Sequence, residues 1–163
     1  LPACLEGVRA DAAFIAIGTT KKKTPAWSDY YRCDHDYPVR AATLAKDCGV
    51  TSLFLVSAVG ASVNSSVFYT RTKGETERDI LALDFEHTHI FRPSIIMGER
   101  PEHRPLERAM IQVCRVINPL LSGGLKKYRG MEAKDIARAM LLAGKRPAEK
   151  TAVYHWEDMD ALL

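Results

Sequence analysis

Three short apolar runs punctuate an otherwise mixed chain, and their shape predicts strands. Residues 12–17, AAFIAI, are apolar throughout instead of alternating, and Gly18 ends them. TSLFLVSA at 51–58 repeats the pattern, and HTHIFRPS at 87–94 gives a third run that Pro93 stops. Uninterrupted apolar strands of this length belong in a parallel sheet covered on both faces. The stretches between them are helical in pattern. Residues 34–48 predict a helix with Asp34 or Asp36 as cap, Pro38 in the first turn and Gly49 as terminator, after a polar loop at 19–33. Residues 67–83 predict another. A further helix at 105–117 carries Leu106, Ala109, Met110, Val113 and Ile117 at helical spacing. Residues 1–10 read as a short helix or turn, LKKYRG at 125–130 as a short strand, 131–144 as a helix and TAVYHW at 151–156 as a last strand.

Strand and helix in alternation predict an α/β fold, a doubly wound and mostly parallel sheet. The 163 residues form a single domain by length. When such a sheet binds a dinucleotide, a glycine-rich turn after a strand leads into the helix that receives the pyrophosphate. No GxGxxG-like run occurs, and GGLKKYRG at 123–130 is too bulky for that close approach. An uncharged AAFIAI is also unusual for an exposed edge. The expectation is an N-terminally incomplete Rossmann-type domain (residues 1–163) that lacks its first βαβ segment.

Composition excludes several classes. Apolar residues make up 47% and charged residues 26%, the proportions of a folded globule. A net charge of +3 with one basic run, TKKKT at 20–24, predicts no nucleic-acid partner. Four cysteines without metal or redox spacing indicate a reduced, cytoplasmic setting. No apolar run reaches membrane-spanning length. His87 and His89 share a strand face, but two histidines without a third ligand make no metal site.

The chemistry concentrates between Ser57 and Leu83. Tyr69 and Lys73 stand four residues apart, which puts both on one face of a helix. A free phenol has a pKa near 10. An ammonium on the same face favours the phenolate, so Tyr69 is the candidate general acid or base, with Lys73 as its activator. Ser57, at a strand end, is placed to hydrogen-bond a substrate oxygen; Ser62, Ser65 and Ser66 compete for that role. Gly18 and Thr19 end the first strand, where ligands lie in a doubly wound sheet.

These blocks together resemble the short-chain dehydrogenase/reductase superfamily. AAFIAIGTT, CDHDYPVRAATLAKDCGV, SLFLVSAVGA, FYTRTKGETER and IFRPSIIMGER look most similar to its atypical branch of Tat-interacting-protein-like oxidoreductases. YxxxK alone is weak; a serine twelve residues before the tyrosine and RPSIIMGE after the next strand strengthen it. The resemblance implies an NAD(P)-dependent oxidoreductase that transfers hydride between nicotinamide and a small carbonyl or alcohol substrate. It implies catalytic Ser57, Tyr69 and Lys73. It also implies a cofactor site formed by Gly18, Thr19, Tyr69, Lys73, Pro93, Ser94 and Ile95. NADP is the cofactor it favours, with NAD as the alternative, bound only together with the absent glycine-rich segment. The alternative is a non-catalytic dinucleotide-sensing or protein-interaction module, with a protein partner or homodimer. A sugar-nucleotide or quinone-related reductase is a third reading. Where many family members carry an asparagine in the helix after the first of these strands, this chain has YPVRAA with Arg40, which leaves a four-member proton relay open. Arg92 is open between anchoring the loop and serving as a buried structural cation. Arg129 is open between meeting substrate and surface solvation, with solvation the favoured reading.

Overall fold

The computed structural model describes residues 9–98, 118–146 and 149–163. The expected turn at 1–10 therefore falls largely outside the described residues, as does the helix at 105–117. Four strands form a parallel sheet in the order β1-β2-β3-β6: β1 is Ala12–Ile15, β2 Ser52–Val56, β3 His87–Phe91 and β6 Thr151–Tyr154. Phe14 pairs in register with Phe54, Phe54 with His89 and His89 with Ala152. A two-stranded parallel pair, β4 (Ile96–Met97) and β5 (Met131–Glu132), stands apart from the sheet.

Both sheet faces are covered, as the apolar runs require. Leu53 and Leu55 of β2 point to one side and pack with Ile15, Ala42, Ile80 and Phe85 beneath α2 (Tyr37–Asp47) and α3 (Phe68–Leu81). Phe54, between them, points to the other side. It joins Phe91, Ile136, Ala139 and Met140 beneath α4 (Ala133–Ala143), together with Met159 of α5 (Trp156–Asp160). Burying each of these large side chains contributes about 1.5–3 kcal/mol. The sheet centre is therefore the strongest part of the fold. At its edge β1 pairs with β2 alone, and Phe14 stacks on Phe54 at 4.5 Å yet stays 48% exposed.

Several boundaries differ from the sequence expectation, each for a physical reason. β1 ends at Ile15, and Ile17 is exposed beyond the last residue that pairs with β2. LKKYRG is no strand: residues Gly123–Tyr128 form a 3-10 turn, and pairing begins only at Met131. The last strand gives way at His155 to α5. The largest difference lies before α2. Helix begins at Trp27 (α1, Trp27–Tyr31) and passes through a π-helical turn, Arg32–Asp36, into α2. Asp34 is thus no cap but an interior residue, 1% exposed. Pro38 accounts for the wide turn. It has no N–H for the carbonyl of Asp34 four residues back, and Tyr37 N–H instead reaches Arg32 O. The freed Asp34 carbonyl accepts the Thr76 hydroxyl at 2.9 Å. Gly49 does end α2, with φ +83.

Candidate functional site

Helix α3 is polar in sequence and nonetheless buries Thr72, Lys73, Thr76 and Glu77. Buried polar side chains need partners, and here each charged one has its counter-charge. Lys73 Nζ lies 2.9 Å from Asp34 Oδ1, with the lysine side chain 7% and the aspartate 1% exposed. Asp34 Oδ2 accepts the Thr19 backbone N–H at 2.8 Å. Gly18 closes over the pair. A Cβ there would stand 3.3 Å from Asp34 Oδ1 and 3.6 Å from Lys73 Nζ. The turn after β1, the π turn before α2 and the middle of α3 therefore meet at one carboxylate.

The start of α3 is held by the loop that precedes it. Ser65 Oγ accepts Val67 N–H at 3.1 Å and bonds the Thr70 hydroxyl at 2.6 Å, while Ser62 N–H donates to Thr70 O at 3.0 Å. The loop passes so close that a methyl on Gly74 would stand 2.5 Å from Val63 N and 2.6 Å from Ser62 Cα. Only glycine permits this approach. Ser65 is thus occupied within the loop, whereas Ser57 stands at the end of β2. Ser57 N–H donates to Phe91 O at 2.7 Å, just past the ends of β2 and β3. Its Oγ is buried without a hydrogen-bond partner, in a residue 5% exposed. An unmet buried hydroxyl costs about 1–3 kcal/mol, which an incoming acceptor or donor would relieve.

Tyr69 stands 41% exposed at the head of α3. Partial burial, followed by the Asp34 carboxylate, raises its phenol above the ordinary value of 10. This direction corrects the expectation that Lys73 brings Tyr69 down: the ammonium is already matched by Asp34, and that carboxylate opposes a second negative charge. Burial first, then Asp34, then Tyr69 also raises the phenol of Tyr30, a buried neighbour on α1. The aromatic rings of Trp27 and Phe68, 4.4 Å apart, flank this corner, and Trp27 is 55% exposed.

The remaining expected residues follow the end of β3. Pro93 is buried, and its carbonyl accepts Val59 N–H at 2.9 Å. Ser94 is half-buried, Ile95 exposed, and Ile95 O accepts Met131 N–H at 3.0 Å. Direct contacts thus gather Gly18, Thr19 and Lys73, while Ser57 and residues 93–95 line the same end of the sheet on the neighbouring strands. The Arg92 guanidinium forks onto Glu77 at 3.0 and 2.5 Å and ties β3 to α3. Arg129 donates to Leu121 O at 2.9 Å and lies over the Trp156 ring at 4.7 Å, so it is held, not merely solvated. His89 is a core residue, bonded to the Tyr154 hydroxyl at 2.9 Å. Among the described residues no group of three or more His, Cys, Asp or Glu is placed to hold a metal, and no helix is long and apolar enough to cross a membrane.

Asp34 is the residue that sequence reasoning missed. An acidic residue before a helical run reads as a cap, and nothing local distinguishes one that faces inward. The only available signal was Pro38 four residues later, which disqualifies Asp34's carbonyl from an ordinary helical bond.

No protein-family model matches the chain. It is 39% identical over 136 residues to the mitochondrial protein fmp52-1 of Aspergillus terreus, covering 83% of this chain and 58% of that relative. It is 43% identical over 93 residues to the mitochondrial protein FMP52 of Eremothecium gossypii, covering 57% of this chain and 42% of that one. The matched region thus spans 58% and 42% of the length of these two relatives. Their mitochondrial names overturn the cytoplasmic setting inferred from the cysteines, and they are not Tat-interacting proteins by name. Among solved structures, MoeE5 in complex with UDP-glucose and NAD superposes with a TM-score of 0.63 at 17% identity, over 92% of this chain and 56% of that one. RMD from Pseudomonas aeruginosa complexed with NADPH gives 0.62 at 12% identity, over 91% and 61%. A UDP-galactose 4-epimerase gives 0.60 at 14%, over 91% and 56%. At these identities the likeness shows the fold alone: a Rossmann-type α/β sheet.

Proposed function

We propose that the chain is the catalytic part of a mitochondrial NAD(P)-dependent oxidoreductase of the short-chain dehydrogenase type, acting on a small carbonyl or alcohol. The observation that carries this reading is a buried serine hydroxyl, just past the end of β2, that has no partner among the described residues, in a fold whose helix α3 also buries Lys73 against Asp34. The residues fit a nicotinamide dinucleotide. Gly18, exposed at the end of β1, lets the backbone lie close against Asp34 and Lys73, Lys73 offers a cation and donor, and Ser57 offers an unspent hydroxyl. The named ligands of the structural neighbours, NAD and NADPH, support the same class without choosing between its members. The preference for NADP rests on the family resemblance.

Bound there, the dinucleotide would supply or accept the hydride at the substrate carbon. Ser57 Oγ would hydrogen-bond the substrate oxygen. Tyr69 would pass its phenolic proton to that oxygen in reduction, or accept one in alcohol oxidation. Lys73 would steady the cofactor's ribose and the charge that develops on Tyr69.

The test uses the full-length natural protein titrated with NADPH and with NADH, followed by turnover on a panel of small aldehydes and ketones. Binding of one or both, with carbonyl reduction lost in Tyr69→Phe while binding persists, is the expected result. Binding of neither sinks the reading. Binding without reduction of any carbonyl turns it into a dinucleotide-sensing module.

A further inference from the structure

Asp34 is buried, charged and absent from the expected constellation, yet it ties that constellation together. One carboxylate oxygen meets Lys73 Nζ at 2.9 Å and the other takes Thr19 N–H at 2.8 Å. Its own carbonyl takes the Thr76 hydroxyl from the next turn of α3 at 2.9 Å. The residue is held from three sides and has no freedom to turn away. We propose that Asp34 is the positioning residue of the reaction proposed above: it fixes the Lys73 ammonium at the end of β1 and sets Tyr69 to give a proton to a carbonyl instead of taking one from an alcohol.

Electrostatics and geometry both point to this role. A lysine ammonium is a point charge on a flexible stem, and a single unopposed one beside Tyr69 would draw the phenol toward phenolate. Asp34 supplies the opposite charge and, after burial, holds the Tyr69 phenol up. The titratable groups that face Tyr69 are Asp34 from the π turn and Tyr30 from α1, with Lys73 one turn along its own helix. Burial first and the Asp34 carboxylate second favour the neutral phenol of Tyr69, the form that donates. In reduction its O–H bond breaks, the proton goes to the carbonyl oxygen, and the hydride from the nicotinamide class of reductant completes the alcohol. Reaction in that direction keeps Tyr69 useful until the pH approaches its own pKa.

The test compares wild type, Asp34→Asn and Asp34→Glu in the full-length protein, with benzaldehyde and cyclohexanone as probes and circular dichroism to verify folding. Asp34→Asn should move the alkaline limb of kcat/KM for reduction down by about one pH unit or more, the size of one neighbouring charge. Alcohol oxidation at neutral pH should rise relative to reduction. Asp34→Glu should restore the limb while kcat stays lowered, because the charge returns one methylene out of place. NMR titration of isotope-labelled tyrosine rings, with Tyr69→Phe assigning the resonance, should show the same downward shift without any turnover. A folded Asp34→Asn protein with unmoved limb and unmoved Tyr69 titration overturns the inference. Failure of both variants to fold also overturns it, since Asp34 is then a structural clamp. If wild type binds no dinucleotide, the proposed function falls while the ring titration still decides the part of Asp34.

Discussion

Two of the ion pairs on helix α3 stand one turn apart, and they are built from unlike parts. Glu77, 6% exposed, takes two arms of the Arg92 guanidinium, itself 25% exposed. A planar fork on a carboxylate sets direction as well as distance, and Arg92 sits where β3 ends. That pair is a bolt between strand and helix. Lys73 and Asp34 are both deeply buried, and one contact joins them. An ammonium has three rotatable donors and can meet a ligand without leaving its carboxylate. Two like charge pairs thus serve differently. The one with water on one side anchors, and the sealed one holds a charge where water does not reach.

Breaking the sealed pair should cost most. Lys73→Met leaves a carboxylate buried without its cation, a loss of about 3–5 kcal/mol, read as a lower urea midpoint with unchanged slope. Gly74→Ala drives a methyl into the backbone of the 62–63 loop and should cost about 3 kcal/mol, the upper end for overpacking. Because that loop sets the distance of α3 from Ser57, turnover should fall along with thermal stability. Glu77→Ala should cost about 2 kcal/mol, within the range for a hydrogen bond to a charged group. The cost is below that of Lys73→Met because Arg92 keeps some water. A larger loss for Glu77→Ala than for Lys73→Met would reverse the comparison.

The smallest effect lies away from α3, at a buried polar group that carries no charge. Burial first, then the charge of His87, lowers the pKa of His89 from 6.5. The unfolded chain therefore binds this proton more readily than the folded one. The contribution of His89 is complete above pH 6.5 and is lost as the pH falls below it. Melting temperature should decline between about pH 7 and about pH 5, the histidine window, and His89→Phe should flatten that decline. An equal slope in the variant would assign it to other groups.

Much of the sheet was legible because apolar runs report burial directly. SLFLV must be covered on both faces, and the structure covers it with α2 and α3 on one side and α4 on the other. Tyr69 and Lys73 were legible as a pair because a helix has a local period. Their electrical state was not, because it depends on a residue from another element. The strand expected at LKKYRG failed because aromatic and lysine content says little where no neighbouring strand offers pairing.

The chain by itself determined where apolar surface must be hidden, which helix carries the phenol and the ammonium, and where glycine must stop a helix. Those are short-range consequences of side-chain period and backbone freedom. Only the tertiary structure decided that Asp34 faces Lys73. An extra residue in a π turn rotates the next stretch of helix by roughly 100°, and composition does not announce it. The pairing then spans two helices and a strand end, so it exists only once the sheet has brought them together.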